Sequence, residues 1–411
     1  MTGTAAALRQ LGFWLAGCLL SVGSVAISAA AADGYHTTGT CGGLPRLQVE
    51  TAPGYCLGLY AQGFKFPRGL LVLDQDDLLV ADMAGWGVAK GSVTRLHHND
   101  DGSLSRTVLV DKLNMPHGLA LGPDGKVYIG IVGGVKRFAL DNPRGSLEDV
   151  IGGKAKIAGL PTNGRHPLVS LIFTDRQTLL LDGGSETDNC ETAAGDMPAS
   201  GKPCPEAQRI MPRGVVREIS FDWSTGQATD LRTFASGLRN SVGLIENPTT
   251  NVILQAENSR DNIGDVMPSL KDDEDLPPDE INVLKDGDSY GWPYCYGDNV
   301  SSPEYPKWDC SREHKPLILL PGHAAPLGMA WFDQGLAVGF HGYRRNGHRI
   351  VWFALGPDGL PVPPLKELVK SWNAGANGPQ GAPVDLKPSN DGGLFISEDH
   401  NGTVLKLVKQ N

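Results

Sequence analysis

The sequence predicts an all-β protein, a six-bladed β-propeller with four-stranded antiparallel blades and inserted loops. Two observations lead to this prediction. The 411 residues include 53 Gly and 29 Pro, which places turns throughout the chain and favours many short strands over long helices. A unit consisting of a polar turn and paired apolar strands also recurs six times along the chain, and repeats of this kind are typical of propeller blades.

Each unit opens on a short turn that leads into an apolar strand. The six turns begin at residues 66–70, 115–119, 164–168, 238–243, 325–329 and 380–384. In the second unit, Leu119–Leu121 and Lys126–Ile129 are the expected strand pair. Their hairpin turn is Gly122–Gly125, because Gly tolerates positive φ and Pro fixes its own φ. Blades of about 40 to 50 residues fit most intervals, and insertions are expected in the two longest.

The ends of the chain are expected to close the ring. Leu57–Ala61 would complete the last blade by pairing with Thr403–Val408, which removes the exposed sheet edges of an open array. The main alternative architecture is a pair of β-sandwiches. It does not explain why one polar motif recurs at the same place in each unit.

Residues 1–32 are typical of a secretory signal peptide, with Arg9 followed by the apolar run Leu11–Ile27 and small residues. Residues 33–411 are then expected to form one propeller domain. Leu15–Cys18 also resembles a bacterial lipoprotein cleavage box, but the apolar run continues beyond Cys18, so lipid anchoring there is the lesser alternative. No later stretch reaches the ~18 apolar residues of a membrane span. We therefore expect a periplasmic or secreted protein with no membrane span.

Six cysteines follow the leader, and they fall into three neighbouring couples. These are Cys41 with Cys56, Cys190 with Cys204, and Cys295 with Cys310. Although six cysteines allow 15 pairings, an oxidising compartment favours three local disulfides, and free buried thiols suit an exported protein poorly. No Cys-x-x-Cys motif occurs, so zinc ribbons, redox dithiols and covalent c-type haem have no support.

The net charge of the chain indicates which classes of partner it can bind. Lys and Arg total 36 against 46 Asp and Glu, a formal net charge of -10. An acidic chain does not gather phosphate backbones by charge, so no nucleic-acid partner is expected.

Polar residues of the repeated turns are expected to converge, because the turn before each innermost strand lies at one mouth of a propeller's central channel. These residues are Arg68, His117, His166, Arg239 with Asn240, and His323. Together they suit an anionic planar ligand or a developing negative charge. Taken singly, each is better explained as a hydrogen-bonded residue at a blade junction, but taken jointly, at matched positions, they favour a binding or catalytic site. His166 is the favoured general base, since a neutral imidazole with a pKa near ~6.5 accepts a proton at working pH; His341 and His400 lie on less constrained turns.

The segment from Glu257 to Glu280 is rich in carboxylates and amides. Flexible, oxygen-rich loops are what Ca²⁺ prefers. Asn258, Ser259 and Asp261, directly after an apolar strand, are the candidate metal ligands, with a structural role equally possible. Asp272–Asp275 is better explained as a solvated acidic loop.

Four motifs follow one another in this region: Gly237–Gly243, Ala256–Asp261, Leu276–Asn282 and Tyr290–Cys295. In this order they resemble the pyrroloquinoline-quinone-dependent glucose/sorbosone dehydrogenases, secreted six-bladed propellers that oxidise aldoses or related carbonyl sugars. The resemblance runs from about residue 57 to residue 407.

The resemblance implies a quinoprotein that oxidises an aldose or a sorbosone-like sugar aldehyde. His166 would take the hydroxyl proton while hydride passes to pyrroloquinoline quinone, with Arg239 and Asn240 beside the reactive carbonyl of the quinone. Backbone oxygens of the Asn258–Arg260 turn would hold Ca²⁺. The remaining cofactor contacts would come from Arg68, His117, His323, His341 and Arg344. Electrons would pass to an external acceptor, since the chain has no haem motif.

The chain departs from the family at two places. Ser259 and Arg260 stand where the family often has Gly-Pro, and Ala382 stands where it often has Arg. A lost Arg weakens the grip on the carboxylates of the quinone, which Arg344 or Arg345 would have to replace. Two alternatives therefore stay open: a calcium-dependent propeller lactonase or hydrolase that uses metal-bound water, and a non-catalytic propeller that binds glycan or protein.

Overall fold

The computed structural model describes residues 35–73, 77–99, 101–192, 202–370, 372 and 380–410. The predicted signal peptide, with Cys18, lies outside these residues. Within them the chain is nearly all strand, and three short 3₁₀ helices lie in the loops. These helices are Pro205–Gln208, Ile263–Asp265 and Cys310–Arg312.

Three strands precede the first complete blade: β1 (Thr37–Cys41), β2 (Leu44–Leu47) and β3 (Tyr55–Gln62). The first blade consists of β4 (Pro67–Val72), β5 (Asp77–Asp82), β6 (Gly91–His98) and β7 (Leu104–Leu113). The second consists of β8 (Leu119–Leu121), β9 (Val127–Ile131), β10 (Gly134–Phe138) and β11 (Glu148–Ile151). The third consists of β12 (Leu171–Phe173), β13 (Leu179–Gly183), β14 (Val215–Asp222) and β15 (Gln227–Ser236).

The fourth blade carries a small two-stranded ribbon, β19 (Cys295–Tyr296) and β20 (Val300–Ser301). Its own strands are β16 (Gly243–Glu246), β17 (Ile253–Glu257), β18 (Asp279–Leu284) and β21 (Ile318–Leu320). The fifth blade consists of β22 (Pro326–Phe332), β23 (Gly335–Phe340), β24 (Arg349–Leu355) and β25 (Pro361–Val369). The sixth consists of β26 (Pro383–Pro388), β27 (Leu394–Glu398), β28 (Thr403–Lys409) and β3.

The six-bladed propeller is thus confirmed, and so is its closure. β3 pairs antiparallel with β28, from Tyr55 opposite Lys409 to Gln62 opposite Thr403. The hairpin of β1 and β2 extends the same sheet to six strands, an extension that the repeat pattern did not predict. No helix among the described residues is long and apolar enough to cross a membrane.

All three predicted disulfides are confirmed. Cys41–Cys56 joins β1 to β3. Cys190–Cys204 closes a loop inserted between β13 and β14, and Cys295–Cys310 closes the insertion between β18 and β21. The two insertions pack together through their cysteines with Trp292, Tyr294 and Tyr305.

The core lies between neighbouring blades. One cluster joins Leu79 and Val93 of the first blade to Val127 and Ile129 of the second, and equivalent clusters follow around the ring. Sheets packed face to face must bury the side chains of both facing surfaces. This is why central strands such as β5, β23 and β27 are buried along their whole length.

Glycine permits the closest approach between blades near the ring axis. The N–H of Gly69 donates to the carbonyl of His117 in the next blade (2.9 Å), and the N–H of Gly118 donates to Val169 in the blade after it (2.9 Å). A Cβ on Gly69 would lie 2.2 Å from the His117 carbonyl oxygen, and one on Gly243 would lie 2.5 Å from the carbonyl oxygen of Leu327. Only glycine fits where one inner strand meets the next.

Replacing Gly69 with Ala is expected to lower the free energy of unfolding by about 1–3 kcal/mol, since the clashing atom is a backbone oxygen that cannot swing away. The measurement is the denaturant midpoint at constant slope. Gly339→Ala in β23 is the matched control: Gly339 is buried as Gly69 is, but the nearest atom to its Cβ, on Pro383, would lie at 3.4 Å. Equal losses in the two variants would contradict the account of blade contact.

Candidate functional site

A cavity of about 480 Å³ opens at the end of the ring where the turns lead into the innermost strands. It gathers most of the polar residues that the sequence singled out. The predicted catalytic and cofactor-binding residues that line it are Arg68, His166, Arg239, Asn240, His323, His341 and Arg344. The three candidate metal ligands, Asn258, Ser259 and Asp261, line it as well. Residues about 270 positions apart in sequence, such as Arg68 and Arg344, therefore line the same cavity.

His166 stands in the turn before β12. Its Nδ1 lies 2.9 Å from the Oγ of Ser185, and its Nε2 has no hydrogen-bond partner among the described residues. Burial, followed by the charge of Arg239, holds the pKa of His166 well below the usual 6.5. The ring is therefore neutral near pH 7 and can accept a proton from a group in the cavity.

Arg239 is buried and uses all of its guanidinium nitrogens. Nη1 donates to the carbonyl oxygens of Asn258 (3.0 Å) and Ser259 (2.8 Å). Nη2 donates to the carboxylates of Asp188 and Asp261, each at 2.7 Å, and Nε donates to the carbonyl of Asp188 at 3.1 Å. One side chain thus binds the turn after β17 to the inserted loop after β13. The Asn240 side chain next to it makes no hydrogen bond to another described residue and faces an open cavity.

Two buried carboxyl groups support this wall, and one of them, Asp279, also lines the cavity. Glu257 accepts the backbone N–H groups of Arg239 and Asn240, and Asp279 accepts those of Ser259 (2.8 Å) and Ala325 (2.7 Å). Burial raises the pKa of both Glu257 and Asp279 to about 7. These hydrogen bonds fix the backbone that presents Arg239, Asn240 and the Asn258–Ser259 turn.

The opposite wall is organised by Asp399, at the end of β27. Its carboxylate binds Arg68 and His341, whose Nε2 lies 3.1 Å away. Burial alone would raise the pKa of Asp399, but His341 and Arg68 bring it below its usual value. The Nε of Arg68 is buried without a partner among the described residues, so the guanidinium keeps one donor for a ligand.

His117 does not line the cavity in the described structure. It lies beneath Arg68, where its Nε2 accepts from Arg68 Nη2 at 3.0 Å. Burial and then the charge of Arg68 lower its pKa well below 6.5, so it supports Arg68 as a neutral acceptor. The sequence pattern assigned His117 to the ring of turns, but the structure places it beneath the residues that line the cavity.

His323 and Arg344 approach the cavity from the fifth blade. The Nε2 of His323 lies 2.7 Å from the carbonyl of Asp273 and 3.1 Å from that of Leu276; because carbonyls only accept, Nε2 carries a proton. Arg344 binds Asp273 at 2.5 Å. Asp273 of the acidic stretch thus contacts the cavity's arginine, whereas Asp272 and Asp275 of the same stretch are exposed to solvent.

The positions that depart from the family pattern are also accounted for. Ala382 is fully buried, outside the cavity lining, and donates its N–H to Glu398. Arg260 is buried against Glu304 at 2.6 Å, and the hydroxyl of Ser259 donates to the carbonyl of Pro278. Arg345 binds Asp275 at the surface, so Arg344 alone of the pair lines the cavity.

Sequence reasoning missed several residues of the site. Asp188 and Ser185 belong to an insertion that has no counterpart in the repeat, and nothing in its pattern marks them. Trp86 and Tyr343 stand at the mouth with more than half of their surfaces exposed. Gly85 and Gly87 on both sides of Trp86 were the available sign of an exposed turn. Arg165 completes the mouth.

Comparison with known proteins identifies relatives that cover most of the chain. A family model described as TrAA12-like matches residues 49–307. The pyrroloquinoline quinone-dependent sugar dehydrogenase of Hypocrea jecorina (strain QM6a) is 26% identical over 407 residues, covering 87% of this chain and 88% of its own. The pyrroloquinoline quinone-dependent pyranose dehydrogenase of Coprinopsis cinerea is 24% identical, covering 89% of this chain and 55% of its own.

Solved structures give the same fold. The calcium structure of the Trichoderma reesei carbohydrate-active enzyme of family AA12 has a TM-score of 0.71 at 24% identity, covering 89% of this chain and 98% of its own. The holo form of the pyranose dehydrogenase PQQ domain from Coprinopsis cinerea has a TM-score of 0.68 at 21% identity, with coverages of 89% and 98%. At these identities the likeness establishes the six-bladed fold alone.

Proposed function

Because the chain belongs to the TrAA12-like family, we propose that it is a quinoprotein dehydrogenase that oxidises an aldose or a sugar aldehyde. The resemblance to quinone-dependent sugar dehydrogenases, expected from four sequence motifs, is confirmed by its named relatives. The observation that carries the proposal is the pairing of a neutral histidine, His166, with the polar wall of Arg239 and Asn240 across one cavity.

The cavity fits pyrroloquinoline quinone, a planar molecule with several carboxylates. About 480 Å³ lies within the usual range for cofactor sites. The unpartnered Nε of Arg68 and the exposed parts of Arg165 and Arg344 supply donors for carboxylates. Trp86 and Tyr343 add flat apolar surface at the mouth. These residues and Asn240 are the ones that would hold the quinone. When bound, the quinone would accept the hydride and its two electrons.

The chain's own residues would accept the proton and position the charge beside the reacting groups. Oxidation of a sugar C–OH group removes a hydride from carbon and a proton from oxygen, and the unpartnered Nε2 of His166 accepts that proton. Arg239 places positive charge beside the reacting groups, since it is held rigidly by Asp188 and two backbone carbonyls. His166 returns its proton to solvent at the open mouth, and the electrons leave to an external acceptor.

Calcium is proposed at the Asn258–Ser259 turn. The two carbonyl oxygens and the Asp261 carboxylate already accept from Arg239, but each carbonyl oxygen keeps a second lone pair. The Oδ1 of Asn258 is buried with no partner among the described residues. Hard oxygen donors of this kind suit Ca²⁺, which would add positive charge next to Arg239.

Export to the periplasm or the medium is the proposed localisation. Three disulfides in the described chain are typical of an oxidising compartment. The signal peptide inferred for residues 1–32 gives the route.

Titration of purified, calcium-supplied protein with pyrroloquinoline quinone is expected to show saturable binding, followed by dye reduction when an aldose is added.

His166→Ala should bind the quinone with similar affinity and lose turnover by about 10²–10⁴-fold, the usual contribution of a general base. In the wild type, turnover should stay constant as the pH falls through 6.5, since the lowered pKa keeps His166 neutral at that pH, and should fall only at the lower pH where His166 gains a proton.

Two results would contradict the proposed reaction, the first for the whole protein and the second for His166. Absence of quinone binding would leave a hydrolase or a binding propeller as the function of the cavity. Unchanged turnover in His166→Ala would remove His166 from the reaction.

Calcium binding by chelator-treated protein is expected to weaken about tenfold or more in Asp261→Asn, which takes a charge from the ligand set. Isothermal titration calorimetry without quinone measures this directly. Asp272→Asn, in the same acidic stretch but outside the cavity lining, is the matched control and should bind as the wild type does. Equal weakening in both variants, or no binding by the wild type, would contradict the calcium assignment.

A further inference from the structure

The hydroxyl of Ser185 makes two contacts that decide where its hydrogen lies. Its Oγ is 2.6 Å from the carbonyl oxygen of Thr187 and 2.9 Å from the Nδ1 of His166. A carbonyl oxygen only accepts, so the single hydroxyl hydrogen is donated to Thr187. Towards His166, Ser185 is therefore the acceptor.

This acceptor determines the tautomer of the imidazole. If Ser185 Oγ accepts, the Nδ1 of His166 carries the ring hydrogen, and the Nε2 of the neutral ring keeps the lone pair. Free histidine in water favours the opposite tautomer, with hydrogen on Nε2. From these contacts we infer that Ser185 is a positioning residue that keeps the Nε2 of His166 ready to accept a proton, an inference that rests on the proposed function.

The inserted loop after β13 holds Ser185 rigidly. Ser185 is fully buried, and its N–H donates to the carbonyl of Arg239 at 2.7 Å. A Cβ on the preceding Gly184 would lie 2.5 Å from the Cβ of His166, so backbone and imidazole are in close contact. Serine and histidine cannot easily separate.

The carbonyl that takes the hydrogen of Ser185 is fixed as well. The Oγ1 of Thr187 accepts the N–H of Cys190 at 2.7 Å and donates to Glu206, and Cys190 is joined to Cys204 by a disulfide. The insertion, unexplained by the repeat, thereby acquires a role: it supplies both Ser185 and the acceptor that orients its hydroxyl.

A second serine–histidine pair in the same protein provides a contrast. The Oγ of Ser170 lies 3.2 Å from the Nδ1 of His117, but the tautomer of His117 is set from its other nitrogen, which accepts from Arg68. Removal of the Ser170 hydroxyl should leave the His166 tautomer unchanged, which makes Ser170→Ala the matched control for this readout.

The test is ¹⁵N NMR of histidine-labelled protein without quinone at pH 7, with His166 assigned by substitution. The wild type is expected to show hydrogen on Nδ1. Ser185→Ala should shift His166 towards the Nε2–H tautomer, and Ser185→Thr, which keeps a hydroxyl, should restore the Nδ1–H form. In turnover, Ser185→Ala should lower kcat by about 10–100-fold, with quinone affinity within about twofold of the wild type.

An Nε2–H tautomer in wild-type His166, or an unchanged Nδ1–H form in Ser185→Ala, would overturn the inference. The wild-type spectrum decides the first point even if the variant does not fold. Because the NMR measurement needs neither quinone nor sugar, it separates this inference from the proposed function. An Nδ1–H form in protein that oxidises no sugar would refute the proposed reaction and, with it, the role of Ser185 in that reaction.

Discussion

The site depends on the close approach of neighbouring inner strands at glycine. Gly69 and Gly118 each touch the backbone of the next blade at a distance that no side chain permits. Arg68 and His117 are the residues directly before these glycines, so the contact that locks two blades together also fixes where each polar side chain begins. The same glycine contacts that pack neighbouring blades together therefore also set the positions of these polar residues around the central channel.

A second constraint is the satisfaction of buried charge. Arg239 is 2% exposed and would be costly to bury alone. Five hydrogen bonds to Asp188, Asp261 and the Asn258–Ser259 turn compensate it. On the facing wall, Asp399 does the same for Arg68 and His341. Charged groups held in this way do not need to reorganise when charge develops between them, which is the condition for electrostatic catalysis.

The repeat made much of this predictable. Residues at one register of each unit had to meet at the channel mouth, and Arg68, His166, Arg239, Asn240 and His323 do meet there. The depth of each side chain relative to the cavity was not predictable. The same position in a turn can face the cavity or lie beneath its lining, and His117 lies beneath it. The contributions of Ser185 and Asp188 were also out of reach, since they come from an insertion whose path follows from packing and the Cys190–Cys204 disulfide rather than from the period of the strands.

We propose that this cavity carries out a two-electron oxidation of sugar with a bound quinone. The most direct measurement is a single turnover without oxygen or added acceptor, in which quinone-loaded protein is mixed with excess aldose and the quinone absorbance is followed. We expect one equivalent of quinone to be reduced per protein chain. Bound quinone that stays oxidised with every aldose and sugar aldehyde offered would contradict it.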